Sequence, residues 1–93
     1  MGETVNRRNR LEIIHDMLRV TNDLGGKILP THLLYKSNLS HERMKGYLEE
    51  LKEKKLITEL QEKEKLFFAI TDDGRRFLMQ YKQLKEFTEA FGL

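Results

Sequence analysis

Ninety-three residues is the length of one domain, enough for a single modest core but not for that core plus a separate catalytic domain. Charged residues make up 34% and hydrophobic residues 39%, spread along the whole chain, which excludes a disordered polar tail and predicts a soluble globular fold. The absence of cysteine excludes disulfides and thiolate zinc sites, and a net charge of +2 permits a nucleic-acid partner without arguing for one.

The opening MGETVNRRNR has basic residues with no apolar stretch behind them, so no signal peptide is expected. The longest apolar run, Leu66–Ile70, is far short of a membrane span, and a cytoplasmic protein is expected. From Asn6 to Asn22, Leu11, Ile14 and Leu18 recur at helical spacing, widened by Ile13, Met17 and Val20. Gly25 and Gly26 then open a turn. Pro30 suits a helix start, and a short helix over Thr31–Lys36 should turn Leu33 and Leu34 inward. Ser37-Asn38-Leu39 reads as a tight turn with Leu39 plugging the angle between two helices.

Ser40 is a good N-cap for a second helix over about 40–54, whose Met44, Leu48 and Leu51 face inward with Tyr47 beside them. Two helices joined by about three residues form a helix-turn-helix. The period then falls to 2: Leu56–Leu60 and Leu66–Thr71 are β-prone, with the polar Gln61–Lys65 between them, predicting a two-stranded hairpin wing over about 56–71. Thr71 caps a last helix that carries Asp72 and Asp73 in its first turn and runs to about Phe91, roughly 30 Å long.

In this order, YLEELKEKKLI followed by two strands and ITDDGRRFL resembles the block "L-x-x-L-x-x-x-G-L-I … L-T-x-x-G-x-x-F-L" of many prokaryotic winged-helix regulators. RRNRLEIIHDML and LLYKSNLSHERMKGYLEEL look like small archaeal winged helix-turn-helix DNA-binding proteins, of a chromatin or regulator type that dimerises through an antiparallel C-terminal coiled coil. The resemblance covers about Arg7 to Phe91. It implies an α+β, mostly α fold: a winged helix-turn-helix domain over 1–71, with a basic arm over 1–10, and a dimerisation helix over 72–93. One position departs from the pattern: Lys55 stands where the family carries glycine.

What the resemblance implies for DNA contact falls on the start of the second helix of the motif, which enters the major groove in this fold. The candidates are Ser40, His41, Arg43, Lys45 and Gly46, with Lys36 before the turn. Hydroxyl and imidazole groups can meet phosphate, Arg43 and Lys45 can bond guanine O6/N7, and Gly46 lets the helix backbone come close. The helix face directly opposite the core holds Glu42, Gly46, Glu49 and Glu53. Those carboxylates either read a cytosine N4 donor or belong to a solvated face with i,i+4 pairs such as Lys45–Glu49. Arg7, Arg8 and Arg10 form the strongest local basic cluster, either a phosphate-reaching arm or a solubilising helix start. Lys63 and Lys65 at the wing tip could clasp phosphate, although lysines and glutamates balance over Glu50–Lys65.

His15, His32 and His41 lack metal-ligand spacing, and no phosphate loop or nucleophile motif is present, so neither a metal, a cofactor nor an enzymatic activity is expected. Phe77, Tyr81, Leu84, Thr88 and Phe91 fall at heptad spacing with Phe87 to the side, as a homodimer seam would. The expected function is transcriptional regulation by a homodimer on double-stranded DNA. Architectural DNA binding and a protein–protein interaction module are the alternatives, the latter favoured by the glutamates of the outer face.

Overall fold

In the computed structural model, which describes residues 8–93, Asn9 sets the first boundary. Its side chain accepts from the Glu12 N–H at 2.8 Å, and the Glu12 carboxylate accepts from the Asn9 N–H at 3.0 Å. This capping box starts α1 (Arg10–Asp23), later than the expected Asn6. Ile13, Ile14, Met17, Leu18 and Val20 are buried along one broad face, whereas Leu11 is 52% exposed and lies outside the stripe.

Gly25 and Gly26 have φ of 89° and 97°, a conformation open to glycine at little cost, and they turn the chain into a short strand β1 (Lys27–Ile28). Pro30 opens α2 (Pro30–Ser37), which takes in Ser37 as well as the expected Thr31–Lys36. The turn to α3 (His41–Glu53) is made by Asn38 in the left-handed region, φ 57° and ψ 46°, a conformation asparagine tolerates. Leu33 is fully buried, and Leu34 and Leu39 pack on the core beside it. The two buried polar side chains, Ser37 and Thr21, each donate to the carbonyl four residues back, at 2.7 Å and 2.8 Å.

The sheet is larger than the expected two-stranded wing. β2 (Ile57–Glu62) and β3 (Lys65–Ile70) form the hairpin, and β1 pairs antiparallel with β3 on its other side, in the order β1-β3-β2. The hairpin turn contracts to Lys63 and Glu64, because Gln61, Glu62 and Lys65 join the ladder. Ile57, Phe68 and Ile70 sit on the sheet face that meets the helices and are buried there with Ile28.

The end of α3 fixes where the hairpin starts. The Leu56 N–H donates to the Leu51 carbonyl at 2.9 Å and the Lys55 N–H to the Lys52 carbonyl at 3.0 Å, the paired bonds of a Schellman motif. Lys55 stands at the left-handed position of that motif, φ 63°, so the turn keeps the glycine geometry without the glycine. Thr71 joins this turn to the last helix: its hydroxyl donates to the Lys55 carbonyl at 2.8 Å and accepts from the Gly74 N–H at 3.0 Å, capping α4 (Asp72–Ala90).

Candidate nucleic-acid interface

α3 presents two unlike sides. Met44, Leu48 and Leu51 are buried, while His41, Glu42, Arg43, Lys45, Gly46, Glu49 and Glu53 are exposed. Ser40 caps the helix by accepting from the Arg43 N–H at 3.2 Å, which leaves its exposed hydroxyl and the first N–H groups at a solvent-facing helix start. Gly46 has nothing within 4 Å of the position a Cβ would take. A mid-helix glycine destabilises a helix by about 0.5–1 kcal/mol relative to alanine, and no neighbour within the chain calls for it here.

The structure sorts the sequence candidates by their partners. Among the described residues, Lys36, Arg43, Lys45, Lys63 and Lys65 are exposed and form no ion pair. The Lys45–Glu49 pair expected from spacing is not formed. Arg8 and Arg10 are engaged instead. Arg8 Nη1 pairs with Asp16 Oδ2 at 2.6 Å and Nη2 donates to the Ser37 carbonyl at 2.9 Å, so this guanidinium ties α1 to the last turn of α2. Arg10, the first residue of α1, is ion-paired with Glu50 on α3. Arg7 lies outside the described residues.

Two further cations quiet the carboxylates around the sheet. Lys52 pairs with Glu59 at 2.8 Å, and Lys27 pairs with Glu62 while its ammonium lies 4.9 Å from the centroid of the Phe67 ring. These partners come from β1 and α3, so the sequence carries no signal for them before the strand register is known. From Lys36 to Gly46 the charges are three unpaired cations against Glu42 alone, and Glu50, Glu59 and Glu62 beyond that stretch are paired. The second half of α3 keeps the exposed glutamates Glu49 and Glu53.

A helix-turn-helix followed by a hairpin whose sheet packs on three helices decides the family. A family profile described as winged helix-turn-helix matches residues 7–89. The chain belongs to the winged helix-turn-helix family. Among curated proteins no sequence matches. Solved structures of similar fold include Sso10a-2, a DNA-binding protein from Sulfolobus solfataricus, 20% identical with a TM-score of 0.74 over 90% of this chain and 85% of that one. Bordetella bronchiseptica BpsR, whose DNA binding is regulated by 6-hydroxynicotinic acid, is 20% identical with a TM-score of 0.67 over 82% of this chain and 58% of its own. A candidate transcriptional regulator of Pseudomonas aeruginosa is 18% identical with a TM-score of 0.74 over 92% of this chain and 61% of its own. This winged helix chain thus spans about three fifths of the two bacterial proteins.

In winged-helix terms α3 is the second helix of the helix-turn-helix and β2–β3 the wing. α4 extends past this domain. Its first turns hold Phe77 and Leu78 against the core, and Arg75 Nε donates to Asn22 Oδ1 at 3.2 Å. Tyr81 stacks on His15 of α1, ring centroids 4.1 Å apart, so Phe77 and Tyr81 of the expected heptad seam turn toward their own domain. Beyond it Leu84, Phe87 and Phe91 are 62%, 59% and 68% exposed, with the Phe87 and Phe91 rings 4.7 Å apart, and Thr88 lies half-buried among them. Among the described residues no helix is long and apolar enough to cross a membrane.

Proposed function

We propose that this winged helix chain binds double-stranded DNA as a homodimer and regulates transcription, with α3 in the major groove and the wing on the phosphate backbone. The carrying observation is the start of α3, where Arg43 and Lys45 are exposed and unpaired among the described residues and flank a glycine that no neighbour in the chain requires. In a helix-turn-helix the N-terminal residues of the second helix reach base edges, so Arg43 and Lys45 take guanine or phosphate, and Gly46 admits close approach. Ser40, His41 and Lys36 serve the adjacent phosphates, and Lys63 and Lys65 reach another from the wing tip. Arg8 and Arg10 hold the domain together, so among the described residues of the basic arm neither arginine is offered to phosphate.

In this reading residues 1–71 bind DNA and 72–93 join two copies. The Leu84, Phe87 and Phe91 ridge would otherwise face water, and a second copy of α4 covers it. Sso10a-2, of like fold and similar length, is a DNA-binding protein, which supports the reading.

The test is a duplex titration at two salt concentrations. Wild-type affinity falls steeply with salt, and Arg43→Ala and Lys45→Ala each weaken binding and flatten the salt slope by about 1 per contact. Failure to shift any duplex at either salt sinks the reading. It would turn attention to the exposed Glu42, Glu49 and Glu53 as a protein-binding face.

A further inference from the structure

The left-handed lysine at the end of α3 has no role in the domain's own packing. In the Schellman turn Leu51 is buried and Leu56 packs against the same core, while Lys55 is exposed. Its backbone is committed on both sides, the N–H to Lys52 and the carbonyl to Thr71, so its Cα is held in one orientation. Among the described residues its ammonium has neither an ion pair nor a hydrogen bond. A position that glycine fills without strain therefore carries a positive charge with no partner among the described residues.

We propose that Lys55 is a DNA-phosphate contact, placed across the major groove from Arg43 and Lys45; the inference rests on the DNA-binding reading above. At 1.5 Å per residue, α3 alone carries the chain about 12 Å from Lys45 to Glu53, and Lys55 follows two residues beyond that helix end. The major groove is roughly 12 Å wide, so cations at this separation meet the phosphate backbones on its two sides. The intervening exposed residues, Glu49 and Glu53, then lie over base edges and not over phosphates, where a carboxylate can accept from a cytosine N4 amino group. The acidic stretch of α3 and its two basic ends become one arrangement.

A lysine near a helix C-terminus also interacts favourably with the helix dipole, and that role changes stability but not salt dependence. Lys55→Gly and Lys55→Arg separate the two, measured by duplex titration across salt and by thermal unfolding of the free protein. The expected result for Lys55→Gly is a midpoint equal to or above wild type, an affinity about 5- to 10-fold weaker near 0.1 M salt, and a salt slope lower by about 1 per subunit engaged. Lys55→Arg keeps affinity and slope. A Lys55→Gly protein that binds within twofold of wild type with an unchanged slope overturns the inference and leaves the DNA reading standing. A wild-type chain that binds no duplex overturns both.

Discussion

Gly46 and Gly74 both lie inside helices, and their surroundings call for opposite consequences. A Cβ at Gly74 would press on the Leu56 carbonyl oxygen and come within 2.6 Å of Ile70 Cγ1, so the start of α4 can sit against the wing base only without a side chain. Gly74→Ala should destabilise the domain by about 2 kcal/mol, overpacking outweighing the gain in helix propensity, as read from the urea midpoint. Gly46→Ala meets open space and should stabilise by about 1 kcal/mol while weakening DNA binding; a tighter complex would remove Gly46 from the interface. The glycine of the "L-T-x-x-G" pattern was legible in the chain, but its reason was not. It depends on where β3 and the α3 turn meet, a register that no local pattern encodes. Lys55 was legible as a departure, and the structure adds that its backbone still adopts the glycine geometry, at a cost of about 1–2 kcal/mol.

At the scale of elements, α1 and α3 followed from periodicity because each buries one continuous stripe, and the capping residues Ser40 and Thr71 marked the starts of α3 and α4. β1 escaped notice for a physical reason. Two residues carry no period, and Lys27–Ile28 is a strand only because β3 offers it an edge. Arg8 escaped as well, since arginines near a chain start read as an arm, while its partners Asp16 and Ser37 become neighbours only when α1 and α2 pack. Arg8→Ala should therefore lower stability by about 1–2 kcal/mol and leave the salt slope of DNA binding unchanged, the reverse of Arg43→Ala. α4 divides in the same way. Tyr81 is occupied by His15, so a dimer seam has to be made by Leu84, Phe87 and Phe91. Phe87→Ser with Phe91→Ser removes exposed surface only, so the fold should persist while sedimentation shows a monomer. A dimer unaffected by both changes would place the interface elsewhere.

For the whole molecule, the overall charge of +2 says little, because the ion pairs decide which charges are available. Arg10, Lys52 and Lys27 neutralise Glu50, Glu59 and Glu62 in turn, and the excess that remains among the described residues sits around the helix-turn-helix. The molecule measures 48 × 34 × 22 Å. If two copies share α4, folding and assembly are linked and the thermal midpoint should rise with protein concentration. A midpoint independent of concentration over two decades would mean that the chain works alone.

The pairing of β1 with β3 also sets an order of events. Lys27 and Ala69 face each other across about forty residues of intervening chain, a loop that closes only after both helices of the motif and the hairpin strands exist. During synthesis α1 emerges well before β3, which completes the sheet that buries Ile28 beside it. Until β3 has cleared the ribosome, the apolar face of α1 has no finished core to enter. Of the helices that β3 helps to cover, α1 is thus the one held longest in need of protection.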